Sequence, residues 1–215
     1  PETNAIEKAP KAKRLGPPTD REPTPCTDAI HAMTKDIDRD AFTSLNQVYE
    51  FHVLGNGEKP PGPNGKRLLK YWLEKRDARA YPTWDDIELM EMFAIADLMI
   101  VKDVIDGGRD FLNRYWGSGI TRSAGFDGTG KLHTDLYASQ PEGPQFETYL
   151  AAINNRAPVM VHRDSSFISG REYVTYDALH VPVGHVERDE ITHLITVHDF
   201  VMRKTPSTSG PLGKM

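Results

Sequence analysis

The groups in this chain that could do chemistry are few and scattered. Its 215 residues include eight histidines, one cysteine and 31 carboxylates. Cys26 stands alone, which excludes an intrachain disulfide, a zinc ribbon or an iron–sulfur centre within the chain and fits a reducing compartment. His162, His180, His193 and His198 fall in the closing strand segments. A single histidine on a sheet is more often a surface or satisfied core residue than a ligand. No H-x-x-x-H pair or histidine cluster has metal-ligand spacing, so no metal site is expected. Asp177 and His198 are the best pair for acid–base work, of the kind that a small isomerase or hydrolase places in the pocket of a cone-shaped α+β sheet. His198-Asp199 is no such pair, because strand neighbours point to opposite faces. His162-Arg163-Asp164-Ser165-Ser166 reads as a strand end running into a turn. Gly117-Ser118-Gly119 lacks the lysine of a phosphate-binding loop, and G-x-S-x-G and G-x-G-x-x-G are absent. The expectation is a chain with no catalytic residues.

The elements that would position these groups fall into four stretches. Six of the sixteen prolines lie in the first 25 residues and the first aromatic residue is Phe42, so residues 1–26 read as a disordered or extended arm. Residues 27–64 read as a helical segment followed by a linker. Leu45, Val48, Tyr49 and Val53 have helical spacing, and Gly55 to Gly65 is the strongest run of breakers in the chain. Residues 65–201 read as the folded domain, and 202–215 as a flexible tail. Within the domain, Arg67 to Arg79 is predicted as a helix with Leu68, Leu69, Trp72 and Leu73 on one face. Thr83 and Asp86 can cap a second helix whose buried stripe is Ile87, Met90 and Phe93. Strands are expected at Leu98–Ile105 and Phe111–Trp116, joined by the Asp106-Gly107-Gly108 turn. A helix is expected at Gln145–Asn155, then strands at Val159–Ile168, Tyr173–Val183 and Ile191–Val201. Helices inserted between the second and third strands are not an alternating βα pattern, so an antiparallel sheet with helices on one face is expected.

Charge and hydropathy narrow the partners. The net charge is -5 and the isoelectric point about 5.9, without the basic surplus of a nucleic-acid binder. No apolar run approaches the ~18–20 residues of a membrane span. Pro1-Glu2-Thr3-Asn4 lacks the start of a signal peptide, so a cytoplasmic protein is expected.

The stretch Asp110 to Ile120, containing Arg114-Tyr115-Trp116-Gly117, is followed by Gly125-Phe126-Asp127-Gly128-Thr129-Gly130-Lys131. Together with Leu68 to Trp72, Asp85 to Leu89 and Tyr176-x-x-Leu179-x-x-Pro182, these motifs resemble a small single-PAS subfamily common in alphaproteobacteria, marked by R-Y-W-G and G-x-D-x-T-G-K elements. The resemblance covers about residues 65–201. It implies five antiparallel strands, with a helical segment between strands two and three enclosing a small cavity, preceded by N-terminal helices. It also implies a non-catalytic sensory or protein-interaction module that a small ligand can modulate. Arg114, Tyr115, His133, Tyr149 and Tyr176 are then the ligand-binding candidates, with a fold-internal salt bridge or carbonyl clamp as the plainer role for Arg114. No cofactor is expected. Flavin adduct chemistry needs a cysteine beside the ring and Cys26 lies in the arm, while haem has only His133 as a substitute for the histidine missing from Gln145–Asn155. Only a short tail follows the domain, so the signal is expected to leave by association, with another protein or as a homodimer through the N-terminal helices. The other reading within the binding class is an accessory subunit of a larger assembly.

Overall fold

The computed structural model describes residues 49–138, 141–163 and 174–202. The expected arm of residues 1–26, most of the expected helical segment before residue 49 and the tail beyond residue 202 lie outside the described residues.

Six antiparallel strands form one sheet: β1 (Tyr49–Val53), β2 (Met99–Ile105), β3 (Asp110–Trp116), β4 (Val159–Arg163), β5 (Val174–His185) and β6 (Glu190–Met202), in the order β1-β4-β5-β6-β2-β3. The helices are α1 (Pro63–Arg76), α2 (Ser118–Ala124), α3 (His133–Leu136) and α4 (Pro144–Asn155). Strands β2 to β6 with α2–α4 between the second and third of them are the expected α+β, PAS-like arrangement. The sheet has six strands rather than five. Tyr49–Val53, expected to continue a helix, pairs instead with β4 from Tyr49↔Arg163 to Val53↔Val159. Its apolar residues alternate with Glu50 and His52, and the open edge of β4 supplies the hydrogen-bond partners that a strand needs.

Strand alternation gives the sheet two distinct faces. Cross-strand register puts Lys102, His180, Thr196 and His198 on one face, and Asp103, Asp177, His193 and Asp199 on the other. Helix α4 covers the first, inner face through Phe146 and Tyr149, which pack against Phe111 of β3. Helix α1 covers the outer face. Its Trp72 is buried, and the indole Nε1 donates to the Pro182 carbonyl at 2.7 Å. Helix α1 starts earlier than expected, inside the breaker run. Pro63 suits the first helical turn, and the Asp199 carboxylate accepts from Asn64 N at 3.1 Å and Gly65 N at 2.9 Å. The cap comes from a residue more than 130 positions away in sequence.

The second expected helix is not formed. Thr83 and Asp86 do bond, with Thr83 N and Oγ1 donating to Asp86 Oδ2 at 3.0 and 2.7 Å. What they cap is a single 3-10 turn, Trp84–Asp86, followed by a kinked 3-10 stretch from Leu89 to Leu98. The tighter turn changes which side chains face inward. Met90 and Phe93 are 77% and 75% exposed, and Met92 and Ile95 are buried in their place.

The two sequence motifs dock on each other. Gly130 N donates to Asn113 O at 2.7 Å, and Asn113 N donates to Lys131 O at 3.0 Å. The loop is tightened from within by Asp127, whose Oδ1 accepts from Thr129 N and Oγ1 at 2.9 and 2.7 Å. Gly128 lies flat on the Trp116 ring, where a Cβ would stand 2.6 Å from the indole. Gly117 is required for a similar reason, since a Cβ there would meet the Asp97 carbonyl oxygen at 2.3 Å.

Candidate functional site

The inner face holds the densest set of buried polar side chains. Lys102 shares one face of β2 with the apolar Ile100 and Val104 and is 2% exposed. Its Nζ donates to Asn113 Oδ1 and lies 4.9 Å over the Tyr149 ring. Asn113 is fixed in turn by Nδ2 donating to Lys131 O at 3.1 Å, so the docked loop orients the lysine's partner. Among the described residues no carboxylate is within 4.0 Å of Lys102. Burial pulls its ammonium down to about 7, against a smaller upward pull from Asp110.

Two histidines flank the same tyrosine. The ring centroids of His133 (α3) and His180 (β5) lie 5.6 and 5.0 Å from that of Tyr149, both edge-on. His133 also stacks on Tyr137 at 4.4 Å. Desolvation, reinforced by Lys102, lowers His133 to about 3, and desolvation with His198 and Lys102 lowers His180. Both are neutral at neutral pH. Gln145 Nε2 donates to the Tyr149 hydroxyl at 2.6 Å, and His180 Nδ1 is 2.7 Å from Thr196 Oγ1. His133 Nδ1, His180 Nε2 and Gln145 Oε1 are buried with no hydrogen-bond partner among the described residues. A buried polar atom left open costs stability unless something satisfies it, and three of the open atoms among the described residues gather around Tyr149.

A second group adjoins it on the same face. Arg163 Nη1 donates to the Tyr176 hydroxyl at 3.2 Å, and His198 and Phe200 pack on the Tyr176 ring at 5.4 and 5.7 Å. Burial pushes the Tyr176 phenol up and brings His198 down to about 4.

The five candidate residues therefore divide. His133 and Tyr149 meet at the centre of the inner face, and Tyr176 stands on the same face beside them. Arg114 and Tyr115 belong to the outer side. Arg114 Nε donates to Asp103 Oδ1 at 2.6 Å and the side chain is 52% exposed, while the Tyr115 hydroxyl donates to Ala96 O at 2.9 Å. Asp103 also approaches His193 Nε2 at 3.3 Å, and His193 stacks on Trp84 at 3.7 Å. Asp177 and His198 do not converge. Asp177 pairs with His162 Nδ1 at 2.7 Å on the outer face, and His198 faces inward with Nδ1 3.4 Å from Leu98 O. Lys102, Asn113, Gln145 and His180 are the site residues that the sequence reading passed over. The signal available was the lysine itself, an ionisable residue directly after the apolar run Met99-Ile100-Val101 and within the expected strand.

No family model matches this chain, and no curated protein matches it. Among solved structures the chain is similar to an RNA-binding light-oxygen-voltage receptor, at 15% identity and a TM-score of 0.44, over 73% of this chain. The match spans 39% of that receptor's length.

Proposed function

We propose that this chain is a non-catalytic PAS-type sensory module, in which a small polar ligand held under α4 shifts the packing of the inner face and the signal passes on through protein contacts. The observation that carries this reading is the set of open, buried polar atoms around Tyr149, next to a lysine without a carboxylate. Such a set recognises a small ligand that carries both hydrogen-bond donors and acceptors, and a ligand acts by favouring one of two packings. The separation of Asp177 from His198 across the sheet supports a binding role over acid–base catalysis. The docked R-Y-W-G and G-x-D-x-T-G-K motifs support membership of the small alphaproteobacterial single-PAS subfamily, with residues 65–201 as its domain.

On this reading the chain works in the cytoplasm, carries no haem or flavin, does not bind nucleic acid and contacts another protein or a second copy of itself. Among the described residues no helix is long and apolar enough to cross a membrane. His133 is packed between Tyr137 and Phe146, an arrangement that favours a core role over an axial ligand. Native mass spectrometry of the full chain tests the reading. The expected spectrum shows the bare chain or a small adduct, as monomer or dimer. A stoichiometric haem or flavin would overturn it.

A further inference from the structure

On the outer side of the molecule, away from the inner face, α1 and the turn after β1 enclose a groove of about 560 Å³. Its floor is apolar: Leu69 and Trp72 of α1 are buried there, and Leu54 and Pro158 close the far wall. This volume is within the ~300–1,000 Å³ of small-molecule sites. The charges on its walls are not balanced. Each acidic group is already engaged, with Glu58 accepting from His52 Nε2 at 2.6 Å and Gly55 N at 3.0 Å, and Glu74 facing Lys70 at 3.7 Å. Arg156 is held by a bidentate pair with Asp189 at 2.9 and 2.7 Å. Lys59 and Lys66 have no acidic partner among the described residues, and the buried Nε of Arg76 has no acceptor there. Two wall ammonium groups thus stand without a counter-charge beside an apolar floor, and the backbone of Arg76 lies ~15 Å further along α1 than that of Lys66.

We propose that this groove binds a small amphipathic carboxylate, its apolar body lying on Leu69 and Trp72 and its anionic head at Lys59 and Lys66. A neutral apolar molecule would leave the two lysines as they are, and a fully polar anion would leave the floor exposed. Only a ligand with both parts answers both features. The site is separate from the inner face and does not depend on the sensory reading.

Isothermal titration of the full chain with decanoate, beside decanol as the neutral control, tests the proposal. Decanoate is expected to bind, with affinity falling as salt is raised, and decanol to bind at least tenfold more weakly. The double variant K59E/K66E changes only exposed side chains and should keep its circular dichroism spectrum and melting temperature. It is expected to lose about tenfold in decanoate affinity. Equal binding of decanol, or an unchanged affinity in K59E/K66E, would overturn the proposal. So would concentration-dependent dimerisation in sedimentation that K59E/K66E abolishes, since the occupant would then be a second copy of the chain.

Discussion

The two faces of the central sheet draw on similar side chains and treat them in opposite ways. On the outer face charges are paired: Asp103 with Arg114 and His193, Asp177 with His162, and Asp199 with the first amides of α1. On the inner face Lys102 is buried against an amide oxygen and the Tyr149 ring, without a carboxylate among the described residues, and three polar atoms around Tyr149 remain open. The outer face is therefore built to hold α1 in place. The inner face leaves buried polar groups unsatisfied, at a cost in stability.

The comparison can be broken most severely at Trp72. Trp72→Ala removes the buried indole and its bond to Pro182 and is expected to cost about 3–5 kcal/mol in chemical denaturation. A loss below 1 kcal/mol would mean that α1 does not anchor the outer face. Next comes Asp199→Ala, which strips two charge-assisted bonds from the start of α1. It is expected to cost about 1.5–3 kcal/mol and to raise hydrogen exchange in the first turn of the helix.

Lys102→Met sharpens the inner side of the comparison. With the folded value lowered to about 7 from 10.5, the unfolded chain binds more protons between these limits, so wild-type stability should rise with pH across that window. Below pH 7 both states carry the proton and the lysine adds no slope. The methionine variant should lose the alkaline rise, with a net change near neutrality of only ~1–2 kcal/mol because Asn113 also loses its donor. An unchanged slope in urea titrations from pH 7 to 10.5 would show that Lys102 is not the group responsible. The smallest effect is expected at Arg114→Ala, which breaks a half-exposed pair. It should move stability by less than about 1 kcal/mol, and raised salt should shrink the difference.

Much of the sheet was legible in the sequence because each cue is local. The Asp106-Gly107-Gly108 turn, the polar connection after His185 and the alternation of β3 and β6 each depend on residues within one element or its end. Strand β1 was misread because two periods overlap there. Leu45, Val48, Tyr49 and Val53 fit a helix, while Tyr49, Phe51 and Val53 fit a strand, and the edge of β4 decides between them. The stretch Leu89–Leu98 was misread because its 3-10 turns shift the inward residues by two positions, from Met90 and Phe93 to Met92 and Ile95. At the candidate site, His133 and Tyr149 were legible by type. Their meeting with Lys102 and His180 was not, since those side chains come from four elements that share no local pattern.

His198 and Asp199 are consecutive residues, yet one packs against the aromatic layer beneath the sheet and the other clasps the helix above it. A slip of one position along β6 would drive a carboxylate into aromatic rings and an imidazole against backbone amides, so this strand has one permissible alignment. A rotation of that short backbone segment moves the clasp and the aromatic layer together. The two sides of the molecule are in this way joined by the shortest linkage that a polypeptide has, one peptide bond.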